Sequence, residues 1–187
     1  MAVMDLLDRR SVPAKQLGEP GPGQASLERI LQSAVRVPDH GKRVPFRFVR
    51  IAGTARAALG ERLAALTLQR DPAAADSAVD KDRNRFNHAP LVIAVVAKLG
   101  PDEKIPEAER FSTAACVCFA LLQAAQAEGY GAQWLTGWPA YDPDVLRLLG
   151  LDGDEKVAGF IHIGTPRLEA PERERPDPLA LLSDLVV

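Results

Sequence analysis

Apolar residues along the chain follow two rhythms. "PLVIAVVAK" (90–98) is apolar and β-branched without alternation, the mark of a strand covered on both faces. "FRFVRIAG" (46–53) alternates apolar with basic positions and predicts a half-buried strand. "GAQWLTG" (131–137) and "EKVAGFIHIGTP" (155–166) predict two further extended segments. Elsewhere the spacing turns helical. Leu27, Ile30, Leu31 and Ala34 stand at i, i+3, i+4 and i+7 and predict a helix over 27 to about 36, with Ser26 as its N-cap. Ala58, Leu59, Leu63 and Leu66 mark a second helix, capped by Thr54 and ending near Asp71 and Pro72. A long helix is predicted over 107–128, apolar almost all round at its centre and closed by Gly129, and a short one from Asp142 to Leu149. Val3, Leu6 and Leu7 suggest a short amphipathic helix at the start, whereas residues 73–88 are polar and carry no readable period.

Strands and helices thus interleave, and tight β-hairpin turns are missing from the pattern, which excludes an all-β chain. Helices on both faces of a mixed sheet are the economical layering. The length of 187 residues suits one domain, 1–187. A long helix without a polar face needs more cover than a small protomer supplies, so pairing of two copies is expected.

Composition changes this picture little, with 47% apolar and 26% charged residues. Charge matters more. The formal net charge of −2 argues against a polyanion partner, yet basic residues cluster locally. "RVPDHGKRVPFRF" (36–48) holds Arg36, Lys42, Arg43, Arg47 and His40 against one acid, Asp39, and Pro38, Gly41 and Pro45 keep it irregular. Such a loop in a slightly acidic chain points to a small anion, a phosphate or a carboxylate. "DRRSVPAKQL" (8–17) adds Arg9, Arg10, Ser11 and Lys15, planar fork donors beside a hydroxyl. Arginines ending a helix answer its dipole equally well, so the combination of the two stretches carries the weight.

Other chemistries find no support. His40, His88 and His162 lack partners at metal-ligand spacing, and His162 reads as a satisfied sheet or core histidine. There is no G-x-S-x-G elbow, and the glycine-rich "GEPGPGQAS" lacks both G-K-[ST] and a preceding strand. Cys116 and Cys118 sit about 200° apart around a helix and read as small buried hydrophobes, which fits a reducing compartment. "MAVMDLLDRR" has charges where a signal peptide needs an apolar core, and Phe111–Ala127 is short for a membrane span. A cytoplasmic protein without a membrane partner is expected.

Five stretches together carry a resemblance: "LLDRRSV", "ILQSAVRVPDHGKRVPFRFV", "APLVIAVVAK", "EGYGAQWLTG" and "VAGFIHIGTP". In this order they resemble the nitroreductase family, in its compact bacterial branch of NAD(P)H nitroreductases. The resemblance implies an α+β, three-layer fold with a mostly antiparallel sheet and helices on both faces, paired as a homodimer with FMN at the interface. It implies hydride transfer from NADH or NADPH through FMN to a nitroaromatic, a quinone or a similar small electrophile, with no catalytic side chain. Carried onto this sequence, Arg9, Arg10 and Ser11 contact the flavin and its phosphate, with Arg10, or else Arg9, placing positive charge near the ring. Arg36 and His40 reach the flavin from the other subunit, and Trp134, Leu135 and Thr136 line its opposite side, partly through backbone groups. The segment Ala124, Ala125, Gln126, Ala127, Glu128 and Gly129 is implied as an NAD(P) segment. One position departs: the branch has W-R-S-G where this chain has "WLTG", so Leu135 replaces an arginine. Loss of one charge-assisted bond costs roughly 1.5–3 kcal/mol, unless Lys42, Arg43 or Arg167 substitutes. Rival readings keep FMN with dehalogenation or ring desaturation, or drop catalysis for a flavin-binding dimer or a small nucleic-acid binder using the 36–47 cations.

Overall fold

The computed structural model describes residues 9–186, so the helix expected around Val3, Leu6 and Leu7 lies outside the described residues. The strands are β1 (Leu17–Gly18), β2 (Phe46–Ala52), β3 (Leu91–Lys98), β4 (Gly131–Leu135) and β5 (Glu155–Pro166). The helices are α1 (Gln24–Ala34), α2 (Thr54–Arg70), α3 (Asp76–Arg83), α4 (Glu107–Ala127) and α5 (Pro143–Leu148). β2, β3 and β5 lie side by side, β4 takes the other edge of β5, and β1 joins the C-terminal end of β5. Every pairing among the described strands is antiparallel, which takes the expected mostly antiparallel sheet to its limit.

β3 shows why an apolar run without alternation makes a central strand. Leu91, Ile93, Val95 and Ala97 pack into one core with Leu27 and Ile30 of α1 and Val117 and Leu121 of α4. Val92 and Ala94 face the other way, into a second core with Leu59 and Leu63 of α2, Val145 of α5 and Phe86. Helices therefore cover both faces, and the two cores meet through the sheet.

The ends of the helices correct several expectations. Ser26 does not cap α1: the helix begins one turn earlier behind Gly23, and the Ser26 hydroxyl accepts from Arg29 Nη2 at 3.0 Å. Thr54 is the first residue of α2, while Gly53, with φ 58°, supplies the cap position. Asp142, expected as the first residue of the short helix, instead caps α5, accepting from the N–H groups of Asp144 (3.0 Å) and Val145 (3.2 Å). Behind α4, Gly129 takes φ 85°, and Tyr130 N–H reaches back to the Ala125 carbonyl while Gly129 N–H reaches Gln126. That double closure turns the chain directly into β4. The polar stretch 73–88 contains α3, which only Val79 and Asp82 anchor by burial. Cys118 is buried but Cys116 is exposed, which corrects the reading of both as buried. Their angular separation puts one toward the sheet and the other on the outer face of α4, where Phe111 and Phe119 are also exposed.

Candidate functional site

The basic N-terminal stretch is fastened beside β4. Val12 N–H donates to the Ala132 carbonyl at 3.1 Å, Ala14 N–H donates to Gln133 Oε1 at 2.6 Å, and the Gln126 side-chain amide donates to the Arg10 carbonyl. Contact is close enough that a Cβ on Gly131 would lie 2.7 Å from Leu17 Cδ2 and 3.0 Å from Val12 Cγ2. This fastening sends the two neighbouring arginines different ways. Arg9 Nη1 donates to Ser11 Oγ at 3.1 Å, and Arg175 Nη2 reaches the Arg9 carbonyl at 3.4 Å. Partial burial, then the nearby charges of Arg175 and Arg173, hold the Arg9 guanidinium below its usual range, against the opposing pull of Glu172. Arg10 instead pairs with Glu172 without a well-aligned hydrogen bond and lines a cavity of about 520 Å³ with Gln126, Tyr130, Arg167 and Glu169.

Four guanidinium groups, those of Arg9, Arg10, Arg173 and Arg175, thus gather at a corner where Glu172 is shared between Arg10 and Arg175. Like charges repel unless an anion sits among them. A phosphate fits this donor set: cations on two chain segments and a hydroxyl, with no carboxylate dedicated to Arg9. Arg173 and Arg175 come from the "ERER" of the proline-rich tail, which sequence reasoning passed over. Its arginines are matched one for one by glutamates in the sequence, and nothing in their spacing ties them to Arg9.

Trp134 sits on the α1/α4 side of β4, its indole N–H donating to the Ala158 carbonyl at 3.2 Å over the bare face of Gly159. A Cβ on Gly159 would fall 2.1 Å from Trp134 Nε1. The indole is therefore committed to the fold, and Leu135 and Thr136 are half-buried before the Gly137 turn.

Arg36 and His40 lie elsewhere, in the loop after α1. His40 Nδ1 meets Glu109 Oε2 of α4 at 2.6 Å, and Arg36 is exposed. No hydrogen bond or ion pair joins them to the Arg9 corner among the described residues. Two of the other loop cations are already matched: Arg43 with Asp102 at 2.7 Å, and Arg47 in a bidentate pair with Glu155, both contacts 2.7 Å. Arg43 is therefore not available to replace the arginine missing at Leu135. Arg167 lies across Gly18, with its Nε 2.6 Å from where a Cβ would stand.

In the 124–129 segment, Ala124 and Ala125 are buried, Ala127 is exposed and Glu128 is held by Arg29 through contacts of 2.6–3.1 Å. Gln126 and Gly129 reach the cavity beside Arg10. The end of a helix directs carbonyls outward, an environment that disfavours phosphate. Among the described residues there is no helix long and apolar enough to cross a membrane, and no group of three or more metal-ligating side chains.

Fold and site together define a two-core α+β protein with an arginine-lined anion corner beside its edge strand. The family model described as the Nitroreductase family matches residues 6–165. YdjA of Escherichia coli (strain K12), named among the NAD(P)H nitroreductases, is 39% identical over 167 residues, 88% of each chain. The crystal structure of a nitroreductase-like family protein from Bacillus cereus superimposes with a TM-score of 0.79 at 21% identity, covering 97% of this chain and 93% of that one. A structure from Desulfovibrio desulfuricans, titled as a nitroreductase in complex with FMN, gives a TM-score of 0.74 at 19% identity, covering 97% and 95%. The chain belongs to the nitroreductase family.

Proposed function

We propose that the protein is an FMN-dependent oxidoreductase that passes hydride from NADH or NADPH, by way of the flavin, to a small electrophile such as a nitroaromatic or a quinone. The observation that carries this reading is the Arg9 guanidinium, bonded to Ser11 and close to the charges of Arg175 and Arg173, beside a Glu172 already shared between Arg10 and Arg175. Arg9, Ser11 and the two tail arginines would hold the FMN phosphate, and the backbone of Leu135 and Thr136 would face the ring. The tail arginines would also make good the charge missing at Leu135. Membership in the nitroreductase family and the similarity to YdjA support the redox class and the nicotinamide donor.

Bound FMN would supply the electron chemistry, taking hydride on one face and releasing it to the acceptor. The chain's own task is then to bind, orient and leave a flat slot open, and no nucleophile or general acid is required. Arg36 and His40 would serve the site of a second copy. A homodimer joined through the outer face of α4, where Phe111 and Phe119 are exposed, would bring them there. Of the 124–129 segment, Gln126 and Gly129 would act only through the cavity beside Arg10.

The test is a visible spectrum of the purified protein after soaking in FMN, followed by NADH without air. A retained flavin spectrum that bleaches on NADH is expected; no retention after soaking would end the proposal. Arg9→Ala should weaken FMN binding about 10- to 100-fold, the loss of one charge-assisted contact. Arg10→Ala, which removes a cation already paired with Glu172, should weaken it far less; the reverse order would reassign the phosphate to the Arg10 cavity.

A further inference from the structure

β5 outruns the strand beside it. β4 pairs with it from Gly131, opposite Gly164, to Leu135, opposite Phe160. Residues 155–159 therefore have β3 on one side and, among the described strands, none on the other. After Leu135 the chain swings away at Gly137, at φ 76°, into the turn Trp138–Ala140 and then α5. The first turns of α4 border the gap from the other direction. What these elements leave between them is a cavity of about 760 Å³. It is larger than the cavity beside Arg10 and shares no residue with it or with the Arg9 corner.

The lining has a distinct chemistry. Its floor is apolar, with Ala140 and Val157 each 3% exposed. Its sides carry two aromatic rings that the fold leaves open, Phe111 of α4 and Tyr141 behind the turn. Phe111 borders the outer face of α4 but stands seven residues before the buried Cys118. That spacing puts it about 20° from Cys118 around the helix, so its ring also turns toward the gap, where Cys118 turns toward the sheet. The charges at the mouth are already matched. Lys156 Nζ meets Glu107 Oε1 at 2.6 Å, and Glu155 is the carboxylate that Arg47 grips with two nitrogens. No unpaired charge is left in the lining, so an ion gains nothing by entering. Hydrogen-bond donors do remain: the Lys156 ammonium has more N–H groups than Glu107 takes, and Tyr141 adds a hydroxyl.

The geometry points to this cavity as a second binding site, apart from the flavin corner, for a neutral, flat aromatic molecule that carries a carbonyl or nitro oxygen. The volume is that of a small-molecule pocket, and the aromatic sides favour a planar ring between them. The ring covers Ala140 and Val157, and its oxygen accepts from Lys156 or Tyr141 at the mouth. The matched charges exclude an anionic or cationic ligand, and they leave a protein partner no charge to pair with. Small neutral electrophiles of the kind named under the flavin reading have this chemistry, yet the site itself needs no flavin.

The experiment is isothermal titration of 4-nitroacetophenone into the protein soaked in FMN, without NADH, and of 4-nitrobenzoate as its charged counterpart. Gly153 at the mouth allows a clean block. A Cβ there meets no atom within 4 Å, and its φ lies outside the left-handed region. Gly153→Phe should fill the opening and abolish saturable binding of the ketone, whereas Gly153→Ala should bind like the wild type. Tyr141→Ala should weaken binding about 3- to 10-fold, the loss of one aromatic wall. The FMN dissociation constant and the mass by light scattering should stay at wild-type values in all three variants. Absence of saturable ketone binding in the wild type overturns the inference, as does binding that neither Gly153→Phe nor Tyr141→Ala alters. So does 4-nitrobenzoate bound as tightly as the ketone. A Gly153→Phe protein that changes its oligomeric state gives the cavity to a second copy and overturns it too. A wild type that takes up no FMN but binds the ketone, with the block by Gly153→Phe intact, upholds this site and ends the flavin reading alone.

Discussion

His162 is a neutral imidazole at the heart of the sheet, 1% exposed and stacked on Phe86 with ring centroids 5.9 Å apart. The satisfied histidine expected from the sequence is satisfied on neither count, since Nδ1 has no partner and the charged form is disfavoured. Burial first, then the charges of His88 and Arg85, pushes it down to about 4 from an ordinary value of 6.5. The sign follows: below pH 6.5 the unfolded chain takes up a proton that the fold refuses, so stability falls with pH until about pH 4, where the folded form titrates too. Each unit is worth about 1.4 kcal/mol, so the loss between pH 7 and pH 5 should be about 2 kcal/mol. His88 shifts in the same direction, whereas depressed carboxylates such as Glu155 weaken the fold only below the ordinary carboxylate range. Urea denaturation at pH 7 and pH 5 should show a smaller drop for His162→Leu than for the wild type. An equal drop in both would place the acid sensitivity elsewhere.

Between α2 and α3 there is no space for a methyl group: a Cβ on Gly60 would stand 2.0 Å from the Arg83 carbonyl oxygen. Gly60→Ala should therefore push the two helices apart and cost about 1–3 kcal/mol in a denaturant titration. It should also loosen the Asp82 cluster, which can be followed through the fluorescence of Trp138. This pair of helices shows what pattern reading captures and what it misses. β3 and β5 were legible to within a residue, because two-sided burial leaves an apolar run that few other structures explain. α3 was not legible, because its anchor is a charged residue: Asp82 looks like surface until Thr67, Arg85 and Trp138 are seen converging on it. The same holds for the anion corner. Arg9 and Ser11 stood out through resemblance to a family, but Arg175, 166 positions from Arg9, becomes its neighbour only once the tail has folded back past the end of β5.

Viewed as an assembly, the molecule leaves its longest helix half clothed. α4 buries Val117, Cys118 and Leu121 against the sheet and turns Phe111, Cys116 and Phe119 outward. The tail adds exposed leucines at 179, 181, 182 and 185. If the helix face joins two copies, Phe119→Glu should yield a monomer by light scattering and, with Arg36 and His40 lost from the neighbouring site, lower FMN retention at the same time. A dimer that persists in Phe119→Glu would move the interface off α4. The opposite orientations of Cys116 and Cys118 also provide a chemical handle. Burial pushes the Cys118 thiol up to about 12, out of reach of ordinary alkylation, so a maleimide dye should modify one sulfur per folded chain and a second only in denaturant. Because that single reactive sulfur sits on the outward ridge, its modification rate becomes a gauge of self-association: dilution should speed it up, and concentration should slow it down.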